Sequence, residues 1–363
     1  MFSVELLILV LALVVAVATV IPLSRSTRWW VRSLDFPRLQ LLFLSLVALC
    51  MTSVFAESAY GAAAIALSAG CILYQSYWIY PYSPLAMKEV ASAGSKIGSA
   101  SISILTANVL MTNRNTQKFL ELVSTNDPDL VLMLESDSWW EDQVRSLESS
   151  YPYRVSCPLS NLYGMHLYSK FPLGKSEVKY LVEDDIPSMH AELQLSDTIK
   201  VRAHFLHPQP PVPEYNSSSG ERDAELIVVA KSLQGFKGPA IVAGDLNDVA
   251  WSETTRLFRS ISGLLDPRVG RGMFNTFNAK YWFMRWPLDH LFHSHHFRVR
   301  DIRRLEDFGS DHFAFYTELI FADSTPSPDA QSCTSDADEE FASEILDQHE
   351  VETEDVPLDD REK

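Results

Sequence analysis

The chain opens on three apolar runs, 4–23, 39–56 and 61–80, separated by short polar links. The first carries one charge, Glu5, and the third closes on Tyr74, Tyr77, Trp78, Tyr80 and Tyr82. Each run is close to the length a helix needs to cross a bilayer, and Trp and Tyr favour its interfaces. A cleaved leader would account for the first run alone, but that run lacks a basic start and two more follow it. A hairpin buried in a soluble core would account for the other two, but little else in 1–96 is left to cover it. The first link holds Arg25, Arg28, Arg32 and Arg38 against Asp35, whereas the second holds Glu57 and no basic residue. That asymmetry predicts the arginine link in the cytoplasm, the N-terminus outside and everything after Tyr80 inside.

Beyond the apolar region (1–82) the segment 83–100 turns to Ser, Gly and Ala near its end and reads as a flexible linker. The pattern from 101 to 321 then alternates strand-like and helix-like stretches. Strands are expected at 101–107, 129–134, 162–169, 189–195, 199–206, 241–244, 288–293 and 313–320. Helices are expected at 116–124, 222–233 and 252–260. Strands with helices set between them predict one layered α+β or α/β domain. The segment 322–363 is Ser, Pro, Asp and Glu with few apolar residues, so it is expected to be a disordered acidic tail.

Charge sharpens this division. The net charge of −17 over 363 residues is divided as +2 in 1–96, −6 in 97–321 and −13 in the tail. The central domain therefore lacks the basic excess expected of a protein that grips long nucleic acid. Cys50, Cys71, Cys157 and Cys333 show no metal-binding spacing and no disulfide framework, which leans toward a reducing compartment.

Polar residues recur where strand candidates end. The run IVAGDLND (241–248) places Asp245 and Asn247 just past a buried strand. Asn108 follows SISILTA, Glu135 ends DLVLMLE, and His207 ends IKVRAHFLH ahead of four prolines. Asp289 and His290 sit in PLDHLF, and Ser310, Asp311 and His312 precede FAFYTEL. Gly-Asp is also ordinary turn chemistry, but acids, amides and imidazoles gathered at one sheet edge point to a site. The types suit phosphoryl chemistry: hard oxygens for Mg²⁺ or Mn²⁺, an imidazole beside a carboxylate, and a free carboxylate to act on water.

The set Asn108, Glu135, His207-Pro208, GDLN at 244–247, Leu288-Asp289-His290 and Ser310-Asp311-His312 resembles the endonuclease/exonuclease/phosphatase superfamily, over about 101–321. Trp251-Ser252 after GDLND resembles a bacterial branch in which membrane spans precede the domain. The resemblance implies an α+β fold, a DNase I-like four-layer α/β/β/α sandwich preceded by transmembrane helices. It implies Glu135 as the main metal ligand, Asn108 beside it and Asp311 near the ion, which would be Mg²⁺ or Mn²⁺. Asp245 would orient or deprotonate water, Asn247 would hold a phosphate oxygen, and His312 would contact the phosphate with its ring oriented by Asp289. His207 would assist the leaving group.

Departures are expected to matter. Leu134 stands where relatives commonly have Gln, which would remove one polar support of Glu135. His166 reads as a core histidine rather than a catalytic one. His204 and His207 face opposite sides of a strand, so His207 is the one expected in the site. His293, His295 and His296 read as a solvated strand end and loop, and Arg298, Arg300, Arg303 and Arg304 as a solvated face or an anion-attracting patch.

The leading expectation is a membrane-anchored, divalent-metal-dependent phosphoesterase, a multi-pass protein of a bacterial inner membrane with its domain in the cytoplasm. Its partners would be the bilayer and a lipid or small phosphoester. One alternative is a nuclease acting on DNA or RNA. Another is an inactive membrane scaffold whose acidic tail binds a basic protein.

Overall fold

The computed structural model describes residues 2–55, 58–94, 100–211, 217–322 and 334–358. Helices α1 (Phe2–Val20), α3 (Arg38–Phe55) and α4 (Ala59–Ile79) pack on one another, with the short α2 (Trp29–Arg32) in the link between the first two. Small residues at their seam, Ala12, Ala48 and Ala64, let the backbones approach. Most of each helix surface stays outward and apolar, as Leu7, Val14, Phe43 and Leu73 illustrate. Among the described residues, three helices are thus long and apolar enough to cross a membrane.

The remainder folds as two packed sheets. One runs β10 (Phe297–Arg304), β11 (Phe315–Phe321), β1 (Ser101–Asn108), β2 (Leu130–Leu134), β4 (Met165–Ser169), β3 (Tyr153–Cys157). The other runs β5 (Leu173–Lys179), β6 (Ser188–Gln194), β7 (Lys200–Leu206), β8 (Ala240–Asp245), β9 (Asp289–His293). Pairing is antiparallel except at β1/β2 and β7/β8, the two steps bridged by helices α5 (Thr116–Asn126) and α7 (Gly220–Leu233).

Side-chain alternation builds the layers. Ile102, Ile104, Leu130 and Leu132 meet Val201, Ala203, Ile241 and Ala243 between the sheets. The opposite faces carry Leu105 and Val131 under α5 and α6 (Ser138–Gln143), and Val242 and Phe292 under α7 and α8 (Glu253–Ser262). Helices therefore cover both outer faces of the expected four-layer α+β sandwich.

Several expectations need correction. The acidic segment is not without structure: α9 (Asp336–His349) packs Ala342 and Ile345 against α7, and Lys231 pairs with Glu339. Widely spaced apolar positions within acidic sequence escape a compositional reading yet suffice for one helix face. Residues 323–333 and 359–363 of that segment lie outside the described residues. In the expected linker, Ala93 and Ala91 exchange backbone hydrogen bonds with Val299 on β10, while 95–99 lie outside the described residues. His293 is fully buried rather than solvated, its Nδ1 against the Ser294 carbonyl. The arginines after it do form the expected solvated face, on the edge strand β10, where Arg300 pairs with Glu318 and Arg303 with Asp301.

Candidate active site

The alternation that fills the core also selects what reaches its end. Asn108 shares the inward parity of Ile102 and Ile104, Asp245 that of Ile241 and Ala243, and Asp289 that of Leu291. His207 extends the inward series Val201, Ala203, Phe205. Where the inter-sheet layer meets the ends of β1, β2, β7, β8 and β9, apolar side chains give way to acids, amides and imidazoles. His204 has the other parity and bonds to His190 at 2.7 Å, away from the site. The separation expected for His204 and His207 is seen.

Local backbone geometry aims these groups. Gly244 has φ 151°, and a Cβ there would lie 1.9 Å from the Leu206 carbonyl of the adjacent parallel strand. Glycine thus lets β8 press against β7 immediately before Asp245. Glu135 (φ 56°), Asn247 (φ 49°), Leu110 (φ 55°) and Leu162 (φ 74°) all hold left-handed conformations around the cavity. Such strain, of order 1–3 kcal/mol per residue, persists where the surroundings fix it.

Asp245 is the hub. Its Oδ1 accepts the Asn247 backbone N–H at 3.0 Å, and its Oδ2 accepts the Asn108 amide at 3.1 Å. The same Oδ2 lies 3.5 Å from His312 Nε2 and 4.0 Å from His207 Nε2. His312 Nδ1 meets Asp289 Oδ2 at 2.8 Å, so a carboxylate flanks each ring nitrogen. Burial opposes charge on that ring, but Asp245 and Asp289 outweigh it and push its pKa up to about 10. The two carboxylates thus favour the protonated ring. His207 differs: burial outweighs Asp245 and lowers its pKa to about 4, leaving the ring neutral.

Asn108 also donates to Glu135 Oε1 at 2.7 Å, while its own Oδ1 accepts the Leu110 N–H. The Asn108 amide therefore supplies polar support to Glu135 although Leu134 is buried in the core. Its oxygen is turned away from the carboxylates, so as placed it positions Glu135 and Asp245. Burial, reinforced by Asp311 and Asp245, pushes Glu135 up to about 7 despite the Asn108 bond and His312. A carboxylate crowded by two others is a hard-oxygen set that a divalent cation would relieve, so these residues fit Mg²⁺ or Mn²⁺. Asp245, Asp289 and His312 also offer ligand atoms within 4.8 Å of one another. A protonated imidazole cannot ligate, however, so that trio is better read as an ion-pair cluster.

Ser310 ties the end of β1 to the turn before β11, donating to the Asn108 carbonyl at 2.8 Å and accepting the His312 N–H at 3.1 Å. Asn247 is anchored through its side-chain amide to the Pro208 carbonyl at 2.9 Å. His290, by contrast, is buried beneath the site between Arg268 and the Asp248 carbonyl. His166 is also buried, bonded to Ser136 at 2.7 Å, as expected for a core histidine.

These groups floor a cavity of about 600 Å³. Glu135, His207, Asp245, Asn247, Asp311 and His312 line it, while Asn108 and Asp289 lie behind. Sequence reading missed the walls: Tyr163 beside His207, Phe277 against His312, Trp286 and Met284, and Phe36 and Pro37 from the link before α3. The run FNAKYWFMRW at 277–286 was an available signal, aromatic without strand or helix periodicity. Nothing local marks Phe36 and Pro37, which reach the site only through tertiary contacts. Trp251 Nε1 donates to the Asp35 carbonyl at 2.8 Å, Tyr82 donates to the Ala250 carbonyl, and Arg25 pairs with Glu253.

Residues 105–312 match the model of the Endonuclease/Exonuclease/phosphatase family, and the chain belongs to that family. The family covers nucleases, phosphatases and phosphodiesterases, and homologues with this fold are metal-dependent phosphoester hydrolases. Among solved structures, the human Nocturnin catalytic domain with bound sulfate is 18% identical, with a TM-score of 0.50 over 62% of this chain and 97% of that one. An endonuclease/exonuclease/phosphatase from Beutenbergia cavernae is 15% identical, with a TM-score of 0.51 over 64% and 76%. One from Bacteroides vulgatus is 14% identical, with a TM-score of 0.51 over 62% and 100%. At these identities the likeness is one of fold. A comparison with curated protein sequences found no match.

Proposed function

We propose that the protein is a membrane-anchored, divalent-metal-dependent phosphoester hydrolase whose substrate is a lipid or other small phosphoester. The observation that carries this reading is the His312 ring, held between Asp245 and Asp289 on the floor of a cavity that Glu135 and Asp311 also line. Water would add to phosphorus as the ester P–O bond breaks. Asp245 would orient that water and take its proton, and its bond from the Asn247 backbone keeps the carboxylate aimed. His312 would neutralise charge growing on the phosphoryl oxygens, with Asp289 fixing its ring. His207, neutral in its burial, would hydrogen-bond the departing oxygen, and Asn247 would hold a phosphate oxygen. Glu135 and Asp311 would hold the cation and Asn108 would position Glu135. When bound, the metal would supply Lewis-acid stabilisation of the phosphoryl charge. The three apolar helices would anchor the domain to the bilayer, and the arginine link would set it on the cytoplasmic side.

The net charge of −6 in 97–321 disfavours long nucleic acid as the substrate. The test is hydrolysis of a bis-aryl phosphodiester by the full chain in detergent with Mg²⁺ or Mn²⁺. Chelation should abolish it, and Glu135→Ala and His312→Ala should each lower it by about a thousandfold. Full activity in both variants would refute the assigned site.

A further inference from the structure

The cavity has a floor made for phosphate, but its walls are made for something else. Phe36, Pro37, Pro211, Met284, Trp286 and Leu288 present apolar surface well beyond what a phosphate group would touch. Two of these, Phe36 and Pro37, immediately precede α3, the second candidate span. The catalytic cavity is therefore walled by the same segment that enters the apolar helix bundle. Removing that segment would open the site.

The other lip lies at the same level. The Gln40 side chain, in the first turn of α3, donates to the Phe283 carbonyl at 2.7 Å. At 1.5 Å of rise per residue, Gln40 lies roughly 3 Å past the start of that helix. The loop therefore rests beside the span's first turn. It is also unusually exposed for its composition: Tyr281 is 55%, Trp282 79% and Phe283 53% exposed. Trp29 and Trp30 of α2, and Tyr80 at the end of α4, are exposed at the same end of the bundle. Large aromatics with a polar edge, gathered where three apolar helices begin or end, are the side chains that favour a lipid–water interface. Among the described residues elsewhere on the domain, exposed large apolar side chains stand singly, as Tyr153, Tyr180 and Phe236 do.

We propose that the substrate is a membrane-resident amphiphile. Its phosphoester sits on the His312 floor while its apolar chain lies in the trough of Phe36, Pro37, Met284 and Trp286. It enters sideways from the bilayer interface, over the lip where the start of α3 and the 281–286 loop meet through the Gln40–Phe283 bond and the Phe36–Trp286 ring contact. The proposal rests on the phosphoesterase reading and adds to it the chain, the trough and the route. Burying each methylene of such a chain favours binding, so recognition should grow with chain length until the trough is filled. A soluble ester with the same reacting group would find the floor but leave the walls in water.

The experiment uses the full chain reconstituted in phosphatidylcholine vesicles, and p-nitrophenyl alkyl phosphodiesters from methyl to hexadecyl with the divalent metal. The expected result is a kcat/KM that rises by about tenfold or more along the series, with Phe36→Ser flattening the dependence. A second arm needs no turnover: a long-chain alkyl phosphonate bearing a diazirine at its far end is photolysed in the same vesicles. The label should map to peptides holding Phe36–Pro37 and Met284–Trp286, and be displaced by hexadecylphosphonate but not by methylphosphonate. Equal kcat/KM for methyl and hexadecyl esters would overturn the proposal. So would labelling confined to the outer faces of the three apolar helices, or cleavage of a single-stranded oligonucleotide faster than any ester. If no ester were hydrolysed while the trough was still labelled, the phosphoesterase reading would fall and the amphiphile site would stand.

Discussion

Asp289 never reaches the cavity, yet its Oδ2 at 2.8 Å from His312 Nδ1 decides what that ring can do. In Asp289→Asn the imidazole loses one of the carboxylates that keep it protonated and the charged partner of its Nδ1. The expected outcome is a fall in kcat of about a hundredfold or more with KM little changed, and an alkaline limb of the pH profile displaced toward neutrality. An unaltered profile would show that Asp289 only fills space. Glu135 carries the complementary prediction. Burial has pushed its carboxyl up to about 7, so protons compete with the cation there. Apparent Mn²⁺ affinity, followed by calorimetry, should weaken as pH falls below about 7. Were affinity flat from pH 8 to 5, Glu135 would not be the ligand. Both residues were legible in the sequence because each borders a strand-like run. Alternation puts Asp289 on the side of Leu291, whereas Glu135 has the parity of the outward-facing Val131 and Met133 and is turned by its left-handed backbone. The roles of Phe36, Pro37 and Trp286 were not legible, since no local pattern records which loops meet over a strand end.

At the level of elements, β8 shows how tightly the site is built into the sheet. It pairs parallel to β7 and antiparallel to β9, so three site residues depend on its register. Gly244→Ala would place a methyl group 1.9 Å from the Leu206 carbonyl in a backbone conformation that alanine disfavours. The expected result is loss of folded protein, or a drop of more than about 3 kcal/mol in unfolding free energy, measured by denaturant titration in detergent. Tolerance of alanine would mean that the β7–β8 approach is looser than drawn. The sequence predicted β1, β2, β4, β6, β7, β8, β9 and β11, which carry apolar residues at alternate or consecutive positions. It missed β3, β5 and β10, whose outward residues are polar and charged: β5 reads LGKSEVK and β10 FRVRDIRR. Edge and near-edge strands carry such residues because one side has no partner, and the same charges that discourage edge-to-edge association hide them from a hydrophobic pattern. Helix α9 escaped notice because composition outweighed a sparse apolar face.

For the whole molecule, burial of uncharged histidines should set the acid limit of stability. Burial pushes His190 down to about 3, and His166, His207 and His293 down to about 4. Unfolded, each would take up a proton near pH 6.5. The unfolded chain therefore binds more protons below that pH, and stability present above it is lost as pH falls from 6.5 toward 4. A thermal midpoint in detergent that falls steeply across that window is expected. A midpoint unchanged down to pH 4 would show these rings exchanging with solvent. The same scale explains why domain and membrane region are not separable parts: Asp35, Arg25 and Tyr82 each bond to the loop or helix that follows GDLND.

The order of residues along the chain is enough to set the layers and the kind of chemistry at their ends. Period-two alternation fixes which side chains face the inter-sheet core, and the residue type at each strand end fixes what that core terminates in. The walls, the supports and the electrostatics of the site come from the folded arrangement. Those depend on which distant segments pack together and on how much water they exclude. Phe36 beside Trp286, Asn108 beside Glu135 and a carboxylate on each side of His312 arise from packing between residues far apart along the chain.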